Sequence, residues 1–205
     1  MRNALRTAGM LILLVVLAAA LVWVVVYWNP EPRQVNQELN IRRAPVGGDF
    51  ELASYQGPVS LRQFRGKVVA LYFGYTQCPD ICPTSLGYLS LALSQLSPEE
   101  LAGFQGLFVS VDPERDTLQR LKDYGEYFNA AILGITGPAE MIDDVVRRYG
   151  AAYRKTETGS QMGYIIDHSA DTYLIDRKGK LRAVLPHGTA PEEILAALRK
   201  LLREE

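Results

Sequence analysis

Lys67-Val68-Val69-Ala70-Leu71-Tyr72-Phe73-Gly74-Tyr75-Thr76-Gln77-Cys78-Pro79-Asp80-Ile81-Cys82-Pro83 is the stretch from which the rest of this 205-residue chain can be read. After Lys67, its residues Val68–Phe73 form a continuous apolar run, the pattern of a central strand covered on both faces. Its last six hold the only two cysteines of the chain. Downstream, Leu86, Leu89, Leu93 and Leu96 recur at the period of a helix with one buried stripe. The cysteines therefore fall on a strand-to-helix loop, where a helix N-terminus favours thiolate.

Alternation continues beyond that helix. Leu107–Val111 reads as a strand ending at Asp112-Pro113, and Thr117–Phe128 as a helix. Ile132–Ile135 is a short strand closed by Gly137-Pro138. Pro138 suits the first turn of a helix that buries Met141, Ile142, Val145, Val146 and Tyr149 and ends at Gly150. Two short strands, Thr172–Ile175 and Leu181–Leu185, flank a turn with Gly179. Thr189 is placed to cap a last helix that starts at Pro191 and buries Ile194, Leu195, Leu198, Leu201 and Leu202. Strand–helix alternation predicts a mainly parallel sheet with crossovers. A closing hairpin and helix make the expected class α/β, with a thioredoxin-like fold.

The N-terminal part has a different character. Residues 7–28 carry no charged side chain, and residues 10–28 are almost wholly apolar. About 20 apolar residues cross a hydrocarbon core of roughly 30 Å. Tyr27 and Trp28 would lie in an interfacial belt. Cleavage after Ala18-Ala19-Ala20 would leave Leu21–Trp28 as an apolar new terminus, so the stretch reads as an uncleaved transmembrane helix. With no cysteine following it, a lipoprotein is excluded. The expected organisation is a cytoplasmic N-terminus over 1–9, an anchor over 10–28, a tether over 29–47 and one domain over 48–205. A flexible tether of that length reaches roughly 25 Å. The setting expected is a bacterial inner membrane, crossed once, with the domain in the periplasm. The net charge of −1 and the lack of any basic run argue against nucleic acid as a partner.

Two thiols four residues apart share one face of a helix or a first turn. Three roles compete for them. A structural disulfide across so short a loop removes little unfolded-chain entropy. Thiol–disulfide exchange needs only the two sulfurs and access, although its familiar spacing has two intervening residues, not three. A metal site needs more ligands. Zinc asks for four, whereas Cu(I) is soft and is selected by thiolates. The chain has two histidines, His168 and His187. In a thioredoxin-like topology the loop carrying His168 abuts the cysteine loop, which makes His168 the candidate third ligand and leaves His187 outside. Met162 is expected to pack or to face solvent. Asp112 ends a strand at the sheet edge where ligand sites of open α/β sheets gather, either capping a helix or supporting the site. Asp167 is a candidate acceptor for orienting the His168 ring.

With these residues in view, the sequence resembles the Sco/SenC family of membrane-anchored copper proteins. The likeness is carried by GYTQCPDICP, VSVDPERDT, FNAAILGITG and DHSADTYLIDRKGKL, in that order, over residues 48–203. The resemblance implies copper bound by Cys78, Cys82 and His168, as Cu(I) and also as Cu(II). It implies receipt of copper from an upstream donor and delivery to the dinuclear CuA centre of cytochrome c oxidase subunit II. Some relatives look instead like thiol reductants of the recipient's cysteines, in which Cys78 and Cys82 are the redox pair. Redox enzymes of the thioredoxin type place a proline before the strand facing the cysteines. The stretch His168–Tyr173 has none, which favours metal. A peroxide-reducing site has no supporting residues.

Overall fold

The computed structural model describes residues 45–159 and 163–204, with positions 10, 16, 17, 20 and 23. The expected anchor over 10–28 lies almost entirely outside the described residues, as do Met162 and most of the expected tether. Among the described residues no helix is long and apolar enough to cross a membrane.

The domain opens on a hairpin of β1 (Glu51–Ser54) and β2 (Gly57–Ser60) and a 3-10 turn, Leu61–Phe64. Then come β3 (Val68–Gly74), α1 (Ile81–Leu93), α2 (Pro98–Ala102), β4 (Phe104–Ser110), α3 (Leu118–Phe128), β5 (Ile132–Thr136) and α4 (Ala139–Arg148). A ribbon of β6 (Tyr153–Glu157) and β7 (Tyr164–His168) follows. The chain closes with β8 (Thr172–Ile175), β9 (Leu181–Leu185) and α5 (Pro191–Arg203). The main sheet runs β2-β1-β5-β4-β3-β8-β9, and β6-β7 stands apart from it.

The thioredoxin-like expectation holds, with a C-terminal hairpin and helix. The sheet itself is mixed. The central β3, β4 and β5 are parallel, and antiparallel hairpins close both edges. Two pairs of strands were not legible. β1 and β2 are four residues each and include Gly57 and Pro58. β6 is the polar run Tyr-Arg-Lys-Thr-Glu and buries no residue fully, so no apolar period announces it.

Every residue of β3 is buried, as its unbroken apolar run demands. Alternation sends Tyr72 and Phe73 to opposite faces. Tyr72 stacks on Phe108 at 6.3 Å, and Phe108 meets Tyr124. Phe73 meets Tyr149 and Tyr173 edge-on. Thr117, read from the sequence as the first residue of α3, is its N-cap, accepting Arg120 N. Thr189 does not cap α5. Its hydroxyl donates instead to Pro186 O within the preceding turn, and the N-cap residue is Ala190. At the other end of the sheet, Val46 N and Gly47 N both donate to Arg148 O, and Tyr149 Oη donates to Gly48 O. Residues 45–48 thus lie against the C-terminus of α4.

β5 and α3 approach closely because both are glycine at the crossing. A Cβ at Gly134 would run into the backbone of Leu121. Gly87, inside α1, faces open space. Gly134→Ala is expected to lower stability by about 2–3 kcal/mol through overpacking. Gly87→Ala is expected to raise it by about 0.5–1 kcal/mol through helix propensity. Urea unfolding of the two variants checks the contrast, and equal effects would contradict this packing.

Candidate metal centre

β3 and β4 end in register, with Gly74 opposite Ser110, so the loops that follow them lie side by side. Val111 N donates to Gly74 O, which stitches the two exits together. The cysteine loop is pinned from the second loop by Asp116. This buried carboxylate accepts Thr76 N at 2.9 Å, Thr76 Oγ1 at 2.5 Å and Ser110 Oγ at 2.6 Å. Sequence reasoning passed over Asp116. The one signal available was its place in the Asp112–Thr117 run beside the candidate Asp112.

Cys78 sits just before α1 and Cys82 in its first turn. Asp80 is the N-cap residue, yet its side chain caps nothing. Cys82 is fully buried, and Gly74 makes room for it. A Cβ at Gly74 would stand 2.6 Å from Cys82 Sγ. Neither cysteine is in a disulfide.

His168 arrives from the ribbon as the last residue of β7, not from an irregular loop. Its ring is buried between two tyrosines, edge-on to Tyr75 at 5.8 Å and to Tyr72 at 6.3 Å. Nδ1 lies 2.9 Å from Ser169 O, a pure acceptor, so Nδ1 carries the proton. Nε2 is then left with its lone pair, 3.2 Å from Cys82 Sγ. The sulfurs of Cys78 and Cys82 and one ring nitrogen of His168 all lie within 4.8 Å of one another.

The sulfurs differ electrostatically. The neighbouring Cys82 holds Cys78 far below the usual thiol range, down to about 4, and the backbone N–H groups at the start of α1 add to this against the cost of burial. Burial pushes the Cys82 thiol well up, and the neighbouring Cys78 thiolate adds to the shift. The site thus favours the thiolate at Cys78 and the thiol at Cys82.

The remaining candidates take other places. Asp167 does not orient the imidazole, because its carboxylate is turned outward to Arg154 and Thr156. Ser169 O fills that role. His187 stays outside the centre, with Nδ1 2.9 Å from Ser85 Oγ. Asp112 is buried, and its side chain caps no helix. It accepts Tyr164 Oη at 2.7 Å and pairs with Arg115. Arg115 lies 3.6 Å over the Tyr164 ring and donates to Tyr164 O. Tyr75 Oη accepts Ile166 N. These contacts fasten the ribbon that carries His168 to the edge of the sheet. They could not be foreseen without the ribbon.

A thioredoxin-like domain with two sulfurs and one imidazole converging at the C-terminal edge of its parallel strands defines a class of soft-ligand proteins. Within that class, the chain belongs to the SCO1/SenC family, whose model matches residues 39–203. The mitochondrial SCO2 homolog of Bos taurus is 39% identical over an alignment of 181 positions that covers 83% of this chain and 68% of the relative. Among solved structures, the apo Sco1 protein of Thermus thermophilus is 38% identical with a TM-score of 0.69, covering 77% of this chain and 91% of that one. Bradyrhizobium japonicum ScoI, solved with copper bound, is 35% identical with a TM-score of 0.69, covering 76% of this chain and 99% of that one.

The charge asymmetry of the two sulfurs has a direct readout. A lowered pKa keeps the thiolate present as pH falls, until about 4 for Cys78. An ordinary thiol, near 8.5, loses about tenfold in thiolate for each unit below that value. Alkylation of the reduced protein followed by peptide mapping is expected to label Cys78 first, at a rate nearly flat from pH 8 to about 5. Labelling of Cys82 first, or a tenfold fall per pH unit, would contradict the assignment.

Proposed function

We propose that Cys78, Cys82 and His168 hold one copper ion as cargo, and that the protein delivers it to the CuA centre of cytochrome c oxidase subunit II. The observation that carries this reading is the meeting of three soft or borderline donors within 4.8 Å in a buried site. Thiolates select Cu(I), and two sulfurs with one imidazole suit a low-coordinate copper ion. The imidazole also allows Cu(II) to be held. A relative solved with copper bound, and the family resemblance in the cysteine and histidine motifs, support the same metal.

Binding requires both sulfurs as thiolates. Cys78 is already in that state, and Cys82 gives up its proton as copper enters. Nδ1–H of His168, held by Ser169 O, keeps Nε2 directed at the metal position. Asp112 acts at one remove, holding Arg115 and Tyr164 and through them the ribbon that carries His168. Transfer then proceeds by ligand exchange with thiols of the recipient, and an upstream donor loads the site. The expected anchor over 10–28 would keep the domain at the periplasmic face of a bacterial inner membrane, beside a membrane-bound oxidase.

The low pKa of Cys78 favours a second reading, thiol–disulfide exchange. The Cys78 thiolate would attack a disulfide of the recipient and form a mixed disulfide. Cys82 would then displace the recipient as a dithiol, leaving Cys78 and Cys82 oxidised. This chemistry needs no imidazole, and the buried His168 beside Cys82 therefore favours copper as the principal cargo.

Anaerobic copper titration of the reduced protein, parent against His168→Ala, separates the readings. The metal reading expects affinity to fall by at least ~100-fold, beyond the ~10–100-fold of a lost supporting residue. Exchange with a small disulfide should change little. Unaltered copper affinity in a folded His168→Ala variant would overturn the site.

A further inference from the structure

The two ends of the sheet carry opposite charge. At the end where β3 begins, Arg62 and Arg65 share the single carboxylate of Asp49, and Arg147 and Arg148 share that of Asp144. Two cations to one anion leave each of these clusters net positive, while at the same end Arg182 alone serves Asp176 and Glu204. The turn between β8 and β9 lies at this same end, since Ile175 pairs with Val69 and Gly66 N donates to Arg177 O. It brings exposed Lys178 and Lys180 alongside. The last turn of α5, with Lys200 and Arg203, is tied in by Arg177, which donates to Leu202 O. The opposite end, around the cysteines, presents Asp80, Asp171, Glu192 and Glu193, with Glu114 and Asp167 paired to Lys155 and Arg154.

Helix dipoles explain part of this. Arg147, Arg148, Lys200 and Arg203 occupy or adjoin helix C-termini, where cations are favoured. They do not explain Arg62 and Arg65 at the 3-10 turn, or Lys178 and Lys180 in a hairpin turn. A second fact concerns connectivity. The chain joins the domain at this basic end, where residues 46 and 47 bond to Arg148. The sequence just before it adds Arg42 and Arg43, and the apolar stretch ends at Trp28.

We propose that the basic end of the domain is a docking face for an anionic lipid surface. Juxtamembrane cations are drawn to anionic headgroups within a Debye length, and the face is positioned by the same chain that leads from the apolar stretch. Docking would hold the cysteine end outward. Along seven-residue β3, at about 3.3 Å per residue, that end stands some 20 Å further from the lipid. The acidic rim around the copper site would be repelled by the same surface, so charge fixes which end faces lipid. The geometry deepens the proposed delivery role and rests on the anchored reading.

Lysine footprinting on the full chain tests the face. The protein is placed in nanodiscs of phosphatidylglycerol or of phosphatidylcholine and acylated briefly, and each lysine is quantified by mass spectrometry. Lys67, Lys178 and Lys180 are expected to react at least about threefold more slowly in phosphatidylglycerol. Lys122 and Lys155, elsewhere on the domain, should not change. Protection should vanish at about 0.5 M salt, where the Debye length falls to ~4 Å. The double variant Lys178→Glu/Lys180→Glu should lose protection at Lys67 while taking up copper normally. Equal rates in the two lipids, or equal protection of Lys122 and Lys155, would overturn the proposal. Repeating the comparison with preformed vesicles separates the two ideas. Protection without insertion would sink the anchor and keep the docking face, whereas insertion without protection would do the reverse.

Discussion

The approach of His168 Nε2 to Cys82 Sγ, at 3.2 Å, is the constraint on which the site depends. The two residues are 86 positions apart. Cys82 is fixed by α1 and by the gap that Gly74 leaves beneath it. His168 is fixed by the end of a ribbon that belongs to neither edge of the main sheet. Each reaches its place through a different mechanism, and the site exists only where both succeed. Tyr75 serves both sides, since it begins the cysteine loop and its hydroxyl receives Ile166 N of the ribbon.

Burial decides how the donors behave. In water two thiols would both be protonated at neutral pH. Here the neighbouring Cys82 and the start of α1 favour the anion at Cys78, while enclosure favours the neutral thiol at Cys82. The imidazole is held in one tautomer by a backbone carbonyl, one of the usual orienting partners of a ligand histidine. The pocket is thus preorganised for a soft cation and discourages a hard one, which would ask for oxygen donors.

Much of this was legible from residue patterns. The apolar run into β3, the leucine stripe of α1 and the closing hairpin and helix gave the fold. The cysteine spacing and a single suitably placed histidine pointed to the three side chains that converge within 4.8 Å. What escaped has physical reasons. Strand β6 is polar because it lies on the surface, so it shows no period. Asp116 and Asp112 look alike in sequence, and only the loop geometry shows that one pins the cysteine loop and the other holds Tyr164. Asp167 was misread because adjacency in sequence suggested contact with the ring. In a strand, neighbouring side chains point to opposite faces, so Asp167 turns outward where His168 turns in.

X-ray absorption at the copper edge of the anaerobically loaded protein asks the central question most directly. The account predicts one copper with two sulfur neighbours and one imidazole nitrogen in its first shell. A shell made of sulfur alone, or of nitrogen and oxygen without the two sulfurs, would contradict it.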